Sequence, residues 1–344
     1  PDPDDESVPV LLQNNSIVTP FEAVTGMYSL PGRHDIDPTA ILAPFYFLFF
    51  GLMLSDAAYG LILTTLCAII LKKYKPDGTT HRMIKMFMFC GLSTFMWGAL
   101  FGGWFGNFFT VAAKTFFGKE FVIKPLWFDP LSEPMKLLVV SLILGAIHLF
   151  VGMGVQAYMD IKDGRPLDAL FDIGLWYLLL IGIVLFAFGG KLGAGAVGIG
   201  KVMAIIGAVG ILLTGGRKKK GIFGKLTGGL GSLYGITSYL SDVLSYSRLL
   251  ALGLATGVVA QVFNTLGSLA GGGIAGSVLL IVVFAFGTVF NIAINALGAF
   301  VHSCRLQYVE FFGKFYTGGG RPFAPFERKT KYIKILKEGN DNVK

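Results

Sequence analysis

The sequence predicts an all-α, polytopic membrane protein. Hydrophobic residues make up 53% of its 344 residues and charged residues only 15%, a composition that does not suit a soluble domain. Apolar runs of about 18 residues or more, the length that a helix needs to cross a bilayer, recur along the chain. The net charge of +8 is therefore first a topology signal, and it does not indicate nucleic acid binding.

The chain opens with a polar stretch and a divided apolar block. Residues 1–38 carry one basic residue, Arg33, and we expect them to be a linker that follows a domain outside this sequence. The apolar block at 41–71 is interrupted at Ser55 and Asp56. It makes roughly 46 Å of helix, too long for one upright span and short for two. It is either one tilted helix or two short helices that meet near Asp56.

Six further apolar segments are long enough to cross a membrane. They lie at about 83–111, 135–158, 168–188, 194–214, 230–266 and 273–312. The last two are the longest, and a Gly-rich turn joins them. We therefore predict a membrane domain at 39–316, followed by a basic, polar tail at 317–344.

Positive charge is concentrated in alternate loops. One set of loops carries most of the 29 Lys and Arg residues, and it consists of 72–85, 159–167, 215–229 and 313–344. By the positive-inside rule these loops are cytoplasmic, so we predict a cytoplasmic C-terminus. The side on which the N-terminus lies depends on whether 41–71 is one span or two.

The sequence predicts no nucleotide, metal or disulfide site. It contains no G-x-x-x-x-G-K-[ST] phosphate-binding motif, so we expect no ATP site in this chain and no cofactor. The cysteines, Cys67, Cys90 and Cys304, lie in or beside apolar segments without paired spacing. That placement favours small buried residues.

Arg248 lies at the midpoint of the segment 230–266. A cation near the bilayer centre costs about 2.5–3.5 kcal/mol, so such a residue is usually functional. On a helix, the face of Arg248 is polar toward the cytoplasm and apolar beyond the arginine. Its polar half, here called the cytoplasmic stripe, consists of Tyr234, Ser238, Ser241 and Ser245.

Arg305, in the next segment, has the opposite arrangement. The face that leads to it from the outer side, here called the outer stripe, contains Asn291, Asn295 and His302. Two polar stripes thus approach from opposite sides of the membrane, and each ends at an arginine. This pattern predicts two offset half-channels for ions. The arginines would separate them, because a guanidinium blocks direct passage of a cation but holds a carboxylate.

The carboxylate that pairs with these arginines is left open by the sequence. Asp242 and Asp56 are candidates within the chain, and either would make a local salt bridge that supports the helix bundle. The alternative is a carboxylate that arrives on another subunit. Asp56 is also a candidate half-channel residue because it interrupts the first apolar block.

Three runs of sequence resemble the stator a subunit of V/A-type rotary ATPases, called subunit I in bacteria. They are SDVLSYSRLLAL at 241–252, VHSCRLQYVEFF at 301–312 and FGLMLSDAAYG at 50–60. Residues 135–148 also resemble the fourth helix of that family. The likeness covers nearly the whole chain, and the order of the motifs is that of the family.

The resemblance implies a membrane domain of about eight helices, with 41–71 as two of them and a cytoplasmic N-terminus. Arg248 and Arg305 match the essential arginines of the family, which face a ring of c (or K) proteolipid subunits whose glutamates each carry one ion. A large N-terminal domain, outside this sequence, would contact the peripheral stalk and other subunits. Membrane lipid is a further expected partner, and the expected location is the bacterial inner membrane.

Two positions depart from eukaryotic members of that family. Thr256 replaces a histidine and Asn295 replaces a glutamate, whereas His302 is retained. The transported ion is therefore H⁺ or Na⁺. We predict an ion-translocating stator subunit that binds no nucleotide. The alternative is a stand-alone secondary ion transporter, although no inverted repeat is found. Arg305 lies near the cytoplasmic end of its segment, so the arginines meet only if the last two helices are strongly tilted.

Overall fold

The computed structural model describes residues 9–32, 35–118, 121–191, 194–217, 222–269, 271 and 273–323. The basic run at 218–220 and the part of the predicted tail beyond 323 lie outside the described residues. The helices of the first half are α1 (Glu22–Tyr28), α2 (Thr39–Leu54), α3 (Ala57–Tyr74), α4 (Gly78–Phe101), α5 (Phe108–Phe117), α6 (Pro134–Lys162) and α7 (Pro166–Asp168). Those of the second half are α8 (Leu175–Phe188), α9 (Ala194–Thr214), α10 (Ile222–Tyr234), α11 (Ile236–Ser245), α12 (Ser247–Ser268), α13 (Ile274–Arg305) and α14 (Phe312–Phe315).

This helical architecture confirms the predicted all-α, polytopic membrane fold. In the described residues, seven stretches of helix are long and apolar enough to cross a membrane, and α2 is a shorter apolar helix of 16 residues. Together they agree with the expected number of about eight. The only strands in this part of the chain are β1 (Pro9–Val10) and β2 (Arg321–Pro322), which pair in parallel.

The block at 41–71 is two helices. Helix α2 ends at Leu54 because Ser55 has the left-handed backbone conformation, with φ of 36°. Asp56 then caps α3, since its carboxylate accepts hydrogen bonds from the backbone N–H groups of Ala58 at 3.0 Å and Tyr59 at 3.2 Å. Such a cap satisfies donors that the first helical turn otherwise leaves free.

The predicted segment 83–111 is wrong at its C-terminal end. Helix α4 stops at Phe101, because Gly102 adopts a left-handed conformation with φ of 73° that glycine reaches at little cost. The chain then turns and forms the separate helix α5. The sequence does not predict this turn, because the segment contains no proline and stays largely apolar to residue 111.

Helix α2 lies at the centre of the bundle. It contacts α4, α12 and α13, while α3 packs along α4, α8 along α9, and α12 along α13. Its large side chains, among them Tyr46, Phe49 and Phe50, are fully buried. A central helix that is apolar on all sides is expected where protein surrounds it.

The two arginine segments differ in regularity. The first is broken at Gly235, between α10 and α11, and at Tyr246, between α11 and α12. The second runs unbroken through α13 to Arg305 and continues as a π-helical turn, Leu306–Phe311, into α14. Both apolar stretches contain 42 residues, about 63 Å of helix against a hydrocarbon core of about 30 Å. Their predicted length is confirmed. Their tilt remains a prediction.

Residues 9–32 and 35–37, here called the N-terminal strap, pack on the end of the second arginine segment. The hydroxyl of Tyr308 donates to the carbonyl of Val24, and that of Tyr316 to the carbonyl of Ser29, both at 2.7 Å. The backbone N–H of Gly318 donates to the carboxylate of Asp35, also at 2.7 Å. The strap therefore fixes the chain just beyond Arg305.

Candidate functional site

Arg248 lies in the first turn of α12, with 27% of its side chain exposed. Its guanidinium is 3.4 Å from Oε1 of Glu310 and 3.5 Å from the hydroxyl of Ser245. The structure thus places Ser245 of the cytoplasmic stripe beside Arg248, as helical spacing predicts. Glu310 is a partner that sequence reasoning missed.

The ion pair between Arg248 and Glu310 is loose. Its length of 3.4 Å exceeds the roughly 2.7–2.9 Å of a strong charge-assisted hydrogen bond. Glu310 is 2% exposed, and its Oε2 has no hydrogen-bond partner among the described residues. A buried carboxylate with one unsatisfied oxygen retains capacity for another donor or cation. Glu310 therefore pairs with Arg248 through Oε1, and its Oε2 has no partner among the described residues.

Asp242 does not pair with Arg248. Its carboxylate binds Lys314 of α14 at 2.5 Å, and the ammonium group of Lys314 also lies over the ring of Tyr239, 4.3 Å from its centroid. The suggested local salt bridge between Asp242 and Arg248 is wrong. Because Asp242 is in α11, this second ion pair joins α11 to the end of the segment that carries Arg305.

Asp56 is bound by backbone groups and not by an arginine. Besides capping α3, its carboxylate accepts hydrogen bonds from the N–H groups of Phe105 at 3.1 Å and Gly106 at 2.8 Å. The side chain is buried. The local arginine pairing that the sequence allowed for Asp56 is therefore also wrong. Asp56 lines a cavity of about 220 Å³, together with Asn107 and Gln261.

The cytoplasmic stripe faces away from the body of the chain. Tyr234 is 74% exposed, and Ser238 and Ser241 are exposed as well. These polar groups therefore stand on the outer surface of α10 to α12.

Arg305 is exposed, and no side chain of the described residues forms an ion pair or hydrogen bond with it. Two apolar side chains that precede it on α13 are also exposed, Leu297 at 64% and Val301 at 51%. A guanidinium without a partner on an apolar membrane-spanning surface is costly.

The outer stripe lies mostly inside the chain. Asn291 and Asn295 are buried, and the amide of Asn291 donates to the hydroxyl of Tyr59 and to the carbonyl of Thr256, both at 3.0 Å. Asn295 donates to the carbonyl of Asn291 at 3.1 Å. His302 is half-buried, and its Nδ1 is buried without a partner in the described residues. The two asparagines thus form a buried polar path between α3, α12 and α13.

Comparison with known proteins gives a consistent set of relatives. Residues 236–328 match the V-type ATPase 116kDa subunit family. The chain is 36% identical to the A-type ATP synthase subunit I of Methanocaldococcus jannaschii, over 96% of this chain and 51% of that protein. It is 38% identical to the same subunit of Thermococcus kodakarensis, over 96% and 49%. It is 24% identical to the V-type ATP synthase subunit I of Chlamydia trachomatis, over 95% and 57%. The chain spans about half the length of these curated relatives.

Proposed function

Since this chain is related over nearly its whole length to subunit I of A-type and V-type ATP synthases, we propose that it is the ion-translocating membrane part of a rotary ATPase stator. The relationship confirms the resemblance that the arginine motifs predict. The observation that carries the proposal is the position of the two arginines. Both guanidinium groups are accessible on long apolar helices, and Arg305 has no partner among the described residues.

The proposed partner of the arginines is a carboxylate on a ring of c (or K) proteolipid subunits. An ion reaches a ring glutamate through one half-channel, travels with the rotating ring, and leaves through the other. Arg248 and Arg305 hold the carboxylate after its ion has left, because a guanidinium stays protonated and binds a carboxylate through two N–H groups. The same charges keep cations from crossing directly.

The half-channels are proposed to follow the two stripes. The cytoplasmic stripe lines an open surface that leads to Arg248, where Glu310 and the arriving ring carboxylate compete for the guanidinium. The outer stripe follows the buried polar path through Asn291 and Asn295 to His302. Asp56 remains a candidate on the outer side, because its cavity borders α12. Lined by amide and hydroxyl groups, this path is suited to water-borne H⁺ or to Na⁺.

The wider setting is proposed from the relatives. A domain outside this sequence would attach the chain to the peripheral stalk and the other subunits, and lipid would surround the remaining helices. The cytoplasmic C-terminus and the bacterial inner membrane stay predictions. No observation favours a stand-alone secondary transporter, which would keep its charges around an internal substrate site. We propose no contact with nucleic acid.

The proposal is tested with Arg248→Ala in the complete complex, reconstituted in lipid vesicles. We expect ATP-driven ion uptake to be abolished while the complex still assembles, because Arg248 is partly exposed and its ion pair with Glu310 is loose. Arg165→Ala is the control, since Arg165 is 57% exposed and makes only surface ion pairs. Normal ion uptake by Arg248→Ala would exclude the proposed role.

A further inference from the structure

His148, on α6, makes a buried polar contact that the proposed mechanism does not use. It is fully buried, with Nδ1 2.7 Å from the hydroxyl of Tyr246 and Nε2 3.1 Å from Oε1 of Gln307. An amide oxygen only accepts hydrogen bonds, so Nε2 carries the proton and Nδ1 accepts from Tyr246. The neutral imidazole is therefore satisfied at both nitrogens, as a buried polar group requires.

The two partners of His148 occupy the irregular points of the two arginine segments. Tyr246 is the turn residue between α11 and α12 and precedes Arg248 by two positions. Gln307 lies in the π-helical turn, two positions after Arg305 and three before Glu310. Both are fully buried. Where regular helical hydrogen bonding is interrupted, the direction of the helix is set by the side chains that pack there.

The surface of α6 fits both irregular points at once. Gly145 faces the ring of Tyr246, and a methyl group at Gly145 would overlap that ring. Gly152 faces Phe311, where an added Cβ would lie 3.0 Å from the ring. Phe311 itself stacks on His148, with ring centroids 4.4 Å apart. Gly145, His148 and Gly152 share one helical face because they are three and four positions apart.

We propose that His148 is a positioning residue, which holds the Tyr246 turn and the Gln307 turn at a fixed separation. Arg248 and Arg305 are then held where both meet the same ring carboxylate. Three elements that are distant in sequence, α6 and the two arginine segments, meet in this one side chain. The inference rests on the proposed function, since it assigns His148 to the geometry of that site.

The test uses His148→Phe, which keeps an aromatic ring of similar size but removes both hydrogen bonds. ATP-driven proton uptake and ATP hydrolysis are measured on the complete complex in vesicles, with radioactive sodium if the unmodified complex moves no protons. We expect ions moved per ATP to fall about tenfold, because losing the two buried hydrogen bonds releases the Tyr246 turn and the Gln307 turn from their fixed separation. Tyr246→Phe lowers the same ratio. In the double variant the number of ions moved per ATP falls no further than in the single variants, because both substitutions act through one contact.

Ser141→Ala is the matched control. Ser141 is buried on the same face of α6, and its hydroxyl donates to the carbonyl of Leu137 within the helix, so the ratio is expected to stay unchanged. If His148→Phe fails to assemble, Tyr246→Phe decides the question. Full coupling in Tyr246→Phe, or additive losses in the double variant, overturns the inference. If the His148 inference is overturned but Arg248→Ala is inactive in the same experiment, the proposed function still stands. If Arg248→Ala pumps ions normally, both the proposed function and the His148 inference fail.

Discussion

The carboxylate that pairs with Arg248, that of Glu310, is brought to it by the tertiary fold and does not lie on the same helix. Glu310 lies 62 positions further along the chain, whereas sequence patterns relate residues three or four positions apart. Ser245 is therefore predictable as a neighbour of Arg248, and Glu310 is not. The same limit applies to Asp242, because its partner Lys314 is 72 positions away. The sequence identifies the costly charges of the site but not their counter-ions.

Glu310→Gln tests whether Glu310 competes with the ring carboxylate for Arg248. Without the competing carboxylate, Arg248 is expected to bind the ring carboxylate more tightly and release it more slowly. ATP-driven ion uptake and ATP hydrolysis should then fall together, several-fold, with their ratio unchanged. Glu133→Gln is the control, since Glu133 pairs only with Lys136 in an exposed ion pair. Hydrolysis that continues while uptake is lost would contradict this role, because it would mean uncoupling.

The helices show which features of the fold a sequence reveals. Apolar length predicts most of the spans, because a helix that crosses a bilayer needs an apolar surface throughout. Apolar length does not predict the helix ends that lie inside an apolar stretch. The chain turns at Ser55 and at Tyr246 without proline or glycine, and the conformation there is set by contacts with other helices. Asp56 is the one local signal, as a capping residue before α3.

Replacement of Asp56 tests whether its main role is in the fold. Asp56→Ala leaves four backbone donors without their acceptor, so we expect a loss of at least about 1–3 kcal/mol of stability, the cost of one unsatisfied buried donor, seen as a lower unfolding midpoint of the purified chain in detergent. Asp56→Asn retains an accepting oxygen and should recover about half of the loss. If both variants keep full stability but lose ion uptake, Asp56 acts in the ion path instead.

The N-terminal strap joins distant parts of the chain. The sequence predicts residues 1–38 as a polar linker, and composition gives no sign that the strap packs on the second arginine segment. Its contacts join residues more than 280 positions apart, as between Val24 and Tyr308. Local sequence patterns predict a linker for such a polar stretch, because the partners of its hydrogen bonds lie far away along the sequence. The predicted division at 38 and 317 stays a prediction.

Tyr308→Phe tests the strap with the smallest change available. The variant keeps the ring that stacks on Tyr28, at 5.0 Å between centroids, and removes the hydrogen bond to Val24. A loss of about 1 kcal/mol predicts roughly fivefold faster amide hydrogen exchange in residues 9–32. Tyr158→Phe, at a side chain that is 60% exposed, should leave the exchange rates unchanged. Unchanged rates in Tyr308→Phe would show that the strap is held elsewhere.

The exposed guanidinium of Arg305 also affects how the chain interacts with the bilayer before it assembles with other subunits. A newly inserted copy, not yet beside its proposed ring, would present this charge to acyl chains, and the surrounding bilayer would thin or admit water to solvate it. Docking of the ring would remove that disturbance. Unassembled and assembled copies would then differ by a local distortion of the bilayer around Arg305.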